Sequence, residues 1–218
     1  MLKITKYEPQ FFQEAKKKVK LPFISSAWNE IGVYENGFKT KLREHILLEE
    51  QNMLCAYCEK EIEADGNNSN TDHFKKRADC PRETLDYSNL LVSCKSKEHC
   101  EYIKDKFGFK VKKNECTDYK KIINPAIENP NDFFEYGLSG DILVKDGLTN
   151  IQKERAEFTI KVFKLDDTSL IIDRRRVVAV LQLYKNQDFT LNRVFHFLPD
   201  YKSFIECIYP KLKKEEQN

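Results

Sequence analysis

The chain has 218 residues, of which 40% are hydrophobic and 33% are charged, and its formal net charge is +2. This length fits one large domain or two small ones, and the apolar content is enough for a buried core. The nearly neutral charge does not by itself demand a nucleic-acid partner, and no apolar run is long enough to span a bilayer. Because no export signal is visible, the sequence favours a cytoplasmic protein.

The sequence predicts three units, and the first, residues 1–52, contains two helical segments. Apolar residues at helical spacing predict a short helix from Pro9 to about Lys20, which Pro22 ends. A second helical pattern runs from Trp28 to Gln51, and we expect Gly37 to divide it into two helices. This unit is a candidate surface for docking a partner.

Four of the seven cysteines occur as two close pairs, Cys55 with Cys58 and Cys94 with Cys100. Without an export signal, such pairs favour thiolate metal ligation over disulfides, and four thiolates suit a tetrahedral structural zinc ion. The second pair is unusually widely spaced, which makes His99 an alternative fourth ligand. A helix that begins at Cys100 favours the cysteine, because a helix N-terminus stabilises a thiolate. The other cysteines are expected to be small, buried or partly buried residues: Cys80, Cys116 and Cys207.

An acid and a histidine, Asp72 and His73, lie between the two cysteine pairs. The turn-rich segment 63–70 predicts a hairpin tip or loop, with both residues on the strand that follows it. Neighbouring residues on a strand point to opposite faces. Both therefore reach one site only if the strand is distorted or one of them acts through its backbone. Further on, a helix is predicted over 98–106, beside the second cysteine pair.

The composition changes after residue 110. Prolines punctuate a connector at 122–130, and 133–144 predicts two short strands. Thr149 and Gln152 have the spacing of a capping box, which predicts that a helix begins there. Another helix is predicted from about Thr168, and we expect its apolar stripe to lie in the core.

The order of these motifs resembles that of the HNH endonuclease family. The matching stretches are CAYC at 55–58, TDHF at 71–74, DYSNLLVSC at 86–94 and HCEYIK at 99–104. The resemblance implies an α+β fold, a mostly helical chain with a small zinc-clamped, treble-clef-like ββα-metal core. That core would occupy residues 53–110 and would be followed by a mainly helical unit with a short hairpin, residues 111–218.

The same resemblance implies roles for individual residues. His73 would be the general base that takes a proton from the attacking water, and Asn89 would orient the His73 loop or its imidazole. Asp72 and Glu101 would hold a catalytic Mg²⁺ or Mn²⁺ ion, because carboxylates suit hard cations. With an ordinary histidine pKa of about 6.5, activity would fall below that pH. Three lysines would contact nucleic acid: Lys75, Lys76 and Lys104.

A narrower resemblance includes IINPAIENP at 122–130 and RAEFTIKVFKLDDTSLIIDRR at 155–175. These stretches are similar to the HNH proteins of Septu-type anti-phage defence systems, including those associated with retrons. The resemblance implies a toxic nuclease controlled by an ABC/SMC-like ATPase, in retron systems together with retron RNA–DNA. DNA is the first expected substrate and structured RNA such as tRNA the second. Two alternatives stay open: a non-catalytic zinc module that binds nucleic acid or the ATPase, and a redox or zinc-sensing switch built on CAYC.

Overall fold

The computed structural model describes residues 1–33, 36–109, 116–184, 187 and 189–214. The expected boundary between the second and third units, at residues 110 and 111, lies outside these ranges. The fold is α+β, with two small antiparallel sheets between helical N-terminal and C-terminal parts. None of the described helices is long and apolar enough to cross a bilayer.

The N-terminal helices occur where the apolar spacing predicts them. They are α1 (Gln10–Lys18), α2 (Ala27–Ile31) and α3 (Phe38–His45), and α3 continues into a π-helical turn, Ile46–Glu50. Gly37 separates α2 from α3 with a φ of +80°, a conformation that glycine adopts without the steric penalty of a Cβ atom.

The central part of the chain contains a strand, a second strand and a helix in that order. Strands β1 (Ser69–His73) and β2 (Leu90–Cys94) pair antiparallel, with Asp72 opposite Leu91. Every residue of β2 is buried. Helix α4 (Glu101–Lys106) begins directly after Cys100. The acid and the histidine therefore lie at the end of β1, as the sequence predicts.

The described C-terminal residues form a short hairpin and four α-helices: β3 (Phe134–Tyr136), β4 (Ile142–Val144), α5 (Asn150–Phe163), α6 (Thr168–Tyr184), α7 (Leu191–Phe197) and α8 (Lys202–Lys214). Thr149 and Gln152 form the predicted capping box at the start of α5. Helices α7 and α8 are not individually predicted by the sequence. Buried residues from the N-terminal, central and C-terminal parts form one hydrophobic cluster.

A disulfide joins Cys80 to Cys116. Cys80 is buried and Cys116 partly buried, as expected, but the sequence did not predict that they are bonded, because residues 36 positions apart in sequence lie side by side in the fold. The Tyr119 hydroxyl links the same two segments by accepting a hydrogen bond from the Lys76 backbone N–H at 3.2 Å. Cys207 is unpaired and partly buried, as expected.

Candidate functional site

Four buried cysteines form a cluster with the dimensions of a metal site. The Sγ atoms of Cys55, Cys58, Cys94 and Cys100 all lie within 4.8 Å of one another. The Cys55–Cys100 and Cys58–Cys94 sulfur distances are 3.8 and 3.9 Å. Sulfurs about 2.3 Å from a tetrahedral zinc ion lie about 3.8 Å apart, so the cluster could bind zinc. Among the described residues, no other group of three or more His, Cys, Asp or Glu side chains could hold a metal ion.

Three separate elements deliver the four sulfurs. Cys55 and Cys58 lie in a tight turn, Cys94 ends β2, and Cys100 directly precedes α4. The backbone N–H of Cys94 donates to Cys55 Sγ at 3.3 Å. Cys100 has φ +62° and ψ −140°, a conformation that costs a non-glycine residue about 1–3 kcal/mol. Its N–H donates to the carbonyl of Phe163 at 2.8 Å, which helps to hold that backbone in place.

His99 lies beside the sulfur cluster and is not needed to complete it. Its Nδ1 atom is 3.1 Å from Cys100 Sγ and 3.9 Å from Cys94 Sγ. Because four sulfurs already surround one point, the structure favours Cys100 over His99 as the fourth ligand. Burial raises the pKa of the Cys58 and Cys100 thiols, so a bound cation is what would allow all four sulfurs to ionise.

The imidazole of His73 has one nitrogen held and one free. Its Nε2 lies 3.0 Å from the carbonyl oxygen of Thr84, and since a carbonyl only accepts, Nε2 carries the proton. Among the described residues, no hydrogen bond engages Nδ1, and that atom is not sealed from solvent. The indole of Trp28 packs edge-on against the ring, with centroids 4.7 Å apart. Burial, which outweighs the charge of Asp72, lowers the pKa of His73 to about 4, so the ring is neutral at pH 7.

Asp72 is withdrawn from solvent and held by two side chains. The Nζ atom of Lys104 lies 2.5 and 2.7 Å from its two carboxylate oxygens, and the Tyr57 hydroxyl donates to Oδ2. The same Nζ donates to the backbone carbonyl of His73 at 2.7 Å. The two neighbours on β1 therefore meet at one buried ammonium, Asp72 through its side chain and His73 through its backbone.

A cleft of about 480 Å³ is lined by Asp72, His73 and Glu101 together. Burial, reinforced by the negative charge of Asp72, raises the pKa of Glu101 to about 8. A cation bound between the two carboxylates would relieve the same repulsion that a proton relieves. A carboxylate offers about four acceptor positions, two on each oxygen. Among the described residues, Oδ1 of Asp72 accepts only from Lys104, so it retains one position. This donor set fits a hard, oxygen-preferring ion.

The three lysines expected to contact nucleic acid all have partners within the chain, and one of them is buried. Lys104 is fully buried against Asp72, so it is placed to neutralise that acid and not to contact a phosphate. Lys75 pairs with Glu83 at 2.6 Å. Lys76 lines the cleft, but its Nζ donates to the carbonyl of Asp105.

Asn89 holds the loop that follows His73 and does not contact the imidazole. Its Oδ1 accepts from the N–H of Lys75 at 2.8 Å. Its Nδ2 donates to the carbonyls of Lys75 at 3.0 Å and Glu83 at 3.1 Å. The imidazole is oriented by Thr84 from the same loop, a contact that the sequence does not indicate.

Several cleft residues are absent from the sequence-based prediction. They line the wall beside the acid–histidine pair: Ser25, Ser26, Trp28, Asn29, Arg77 and Ala78. No local pattern distinguishes them, because the four from the N-terminal part reach the cleft by packing on the central strands, and Arg77 and Ala78 reach it through the loop after β1. Tyr57 is different, since its place inside the CAYC motif could have indicated it.

No protein-family model matches this chain, and no curated protein is significantly similar to it. The function must therefore be inferred from the geometry of the site and the resemblance of its motifs.

Proposed function

We propose that the chain is a metal-dependent nuclease of the HNH type, in which His73 activates water to hydrolyse a phosphodiester bond in nucleic acid. The observation that supports this most directly is the environment of His73. A neutral imidazole, with one nitrogen fixed by a backbone carbonyl, borders a cleft that it shares with two carboxylates. A general base needs a free lone pair, a fixed orientation and the neutral state at working pH.

In this proposal His73 takes the proton of the attacking water at Nδ1. The Nε2–H bond to Thr84 keeps the ring oriented before and after that transfer. Asp72, whose negative charge favours the protonated ring, would stabilise the imidazolium. A Mg²⁺ or Mn²⁺ ion held by Asp72 and Glu101 would supply positive charge for the phosphate. Arg77 lines the same cleft and would attract the substrate backbone.

Zinc at the cysteine cluster would have a structural role. The four sulfurs come from the turn before β1, the end of β2 and the start of α4, so one ion would fasten together the elements that carry the cleft. Closed four-thiolate sites of this kind stabilise small folds and leave no position for substrate.

The biological part of the proposal rests on the sequence resemblance alone. In this proposal the chain is a toxic effector of a Septu-type or retron-associated defence system, and an ABC/SMC-like ATPase controls it. DNA is the first proposed substrate, and structured RNA such as tRNA is the second. Co-purification of the chain with the product of a neighbouring ATPase gene would test the partner.

One observation favours a second function, a zinc module without catalysis. The charge of Asp72 is already matched by Lys104, and the ammonium groups of Lys75 and Lys76 bind within the protein. Charged side chains that already have partners within the chain suit a structural or binding role. Such a module would bind nucleic acid or an ATPase through its surface.

A cleavage assay separates the two functions. Zinc-loaded chain, alone and with any co-purified partner, is incubated with plasmid DNA and with tRNA, in Mn²⁺ or in EDTA. We expect Mn²⁺-dependent cleavage that His73→Ala lowers by about 10²–10⁴-fold. The matched control is His196→Ala, because His196 is exposed on α7. Full activity of His73→Ala would refute the assigned base, and binding without cleavage by the wild type would support the module.

A further inference from the structure

Tyr57 connects the cysteine cluster to the acid of the cleft. It lies between Cys55 and Cys58 in sequence, and its side chain is 1% exposed. Its hydroxyl donates to Oδ2 of Asp72. The orientation of the Asp72 carboxylate thus depends on a residue inside the turn that carries Cys55 and Cys58.

The ring of Tyr57 is also fixed from the opposite side. The ring of Phe163 stacks on it, with centroids 4.1 Å apart and planes inclined by 23°. The carbonyl of Phe163 accepts the N–H of Cys100 at 2.8 Å. One residue at the end of α5 therefore contacts both the tyrosine ring and the backbone of a cluster cysteine, which leaves the hydroxyl little freedom to move.

The hydroxyl also makes the two oxygens of Asp72 different from each other. In the part of the chain that the structure describes, Oδ2 accepts from both Tyr57 and Lys104, whereas Oδ1 accepts from Lys104 alone. The tyrosine bond therefore determines which oxygen keeps an acceptor position for a cation. Without it, the carboxylate could rotate around the single remaining ammonium.

We propose that Tyr57 is a positioning residue for cation binding in the cleft, and that it makes this binding depend on the metal-loaded cysteine cluster. The inference rests on the proposed function because it takes Asp72 as a cation ligand. Hydrogen-bond partners that orient a metal ligand change metal affinity by about 10–100-fold when they are removed. The affinity of the cleft for Mn²⁺ should therefore depend on the Tyr57 hydroxyl.

The single tryptophan of the chain allows the Mn²⁺ affinity of the cleft to be measured without any activity assay. Trp28 lines the cleft, and paramagnetic Mn²⁺ bound nearby quenches indole fluorescence. The proteins compared are zinc-loaded wild type, Tyr57→Phe and Tyr87→Phe. Tyr87 is a matched control because its buried hydroxyl donates to Glu50 at 2.7 Å, away from the cleft.

We expect Tyr57→Phe to raise the Mn²⁺ concentration for half-maximal quenching by about 10-fold, with zinc content unchanged. Tyr87→Phe should lose about as much stability as Tyr57→Phe, but its fluorescence should be quenched at the same Mn²⁺ concentration as that of the wild type. In a cleavage assay, Tyr57→Phe should raise the Mn²⁺ concentration needed for half-maximal rate. The rate at saturating Mn²⁺ should change by a smaller factor.

Three results would overturn the inference, and they have different meanings. An unchanged Mn²⁺ midpoint in Tyr57→Phe would remove the positioning role while the nuclease proposal stands, since the wild type still binds the cation. Loss of zinc from Tyr57→Phe would assign the tyrosine to folding. Absence of saturable quenching in the wild type would remove both this inference and the cation of the proposed function.

Discussion

Lys104 and Asp72 form a two-point ion pair in which the lysine side chain is 0% exposed and the aspartate side chain 3% exposed. Breaking such a pair by removing one partner leaves a buried charge uncompensated, which costs about 3–5 kcal/mol. Lys104→Met should therefore lower the free energy of unfolding by about that amount, as measured by urea denaturation of the zinc-loaded chain.

Lys106→Met provides the control for this prediction. Lys106 is exposed on the same helix, so its replacement should change the free energy of unfolding by less than about 0.5 kcal/mol. Adding Asp72→Asn to Lys104→Met should recover part of the lost stability, because it removes the orphaned charge. Wild-type stability of Lys104→Met would contradict the buried pair.

Asn89 makes three hydrogen bonds to backbone groups of Lys75 and Glu83, and the same loop carries Thr84. Asn89→Ala leaves those groups unpaired, at a cost of about 1–3 kcal/mol for each one that water cannot reach. Under the proposed function, the rate of cleavage should fall further than stability explains, because Thr84 would no longer fix His73. The rate is measured at a temperature where the variant is fully folded.

A suitable control for that prediction is Asn129→Ala. Asn129 caps the short 3₁₀ helix Pro130–Asp132, and it is not among the residues that line the cleft. Its replacement should leave the cleavage rate unchanged. Equal rates for Asn89→Ala and wild type would show that the loop does not position the base.

Cys58→Ser should release the metal from the cysteine cluster. Folding and zinc binding are coupled when the ligands come from separate elements, so we expect loss of both zinc and soluble protein. Zinc per chain is measured by plasma mass spectrometry. Cys207→Ser, which alters a cysteine outside the cluster, should keep one zinc ion; equal zinc in both variants would contradict the site.

The Cys80–Cys116 disulfide predicts a definite thiol count. Five cysteines are free and the chain contains seven, so Ellman's reagent should detect five thiols in the denatured, chelator-treated chain and seven after reduction. Reduction should also lower the free energy of unfolding by about 2–4 kcal/mol. Seven thiols before reduction would show that the bond does not form in the purified protein.

Asp167, directly before α6, should contribute stability that disappears in acid. It accepts from the Ser169 N–H at 2.9 Å and pairs with Lys164 at 2.7 Å. Burial opposes ionisation, but these partners outweigh it and lower the pKa of Asp167 to about 2. A depressed carboxyl pKa stabilises the fold fully above the unfolded value of about 3.9, and this contribution is lost as pH falls towards 2.

Asp167→Ala measures that contribution. At pH 7 the variant should be less stable than wild type by about 0.5–2 kcal/mol, the range found for residues that cap a helix start. The difference between the two proteins should shrink between pH 4 and pH 2. Comparing them at each pH cancels any acid-induced loss of metal, which affects both alike. A constant difference would assign the effect to packing.

Sequence reasoning succeeded where the signal is local. The break at Gly37 and the capping box at Thr149 depend on a few adjacent residues, and both are present in the structure. The Cys55–Cys58 pair likewise indicated the sulfur cluster, because its two-residue gap already brings two sulfurs together.

Features set by distant contacts could not be predicted in this way. The carbonyl that holds His73 belongs to Thr84, and the indole that packs on its ring belongs to Trp28. Nothing in the local sequence marks either residue, since their positions depend on how the N-terminal helices and the loop pack on β1. The disulfide between Cys80 and Cys116 was not predicted for the same reason.

Phe163 limits how far this protein can be shortened. Its ring stacks on Tyr57 and its carbonyl accepts the Cys100 N–H, although it lies more than fifty residues beyond α4 in the sequence. A fragment cut to residues 53–109 would keep every sulfur ligand but would lose the cover over Tyr57 and the acceptor for the Cys100 amide. The smallest autonomous unit built around the sulfurs must therefore reach at least to the end of α5.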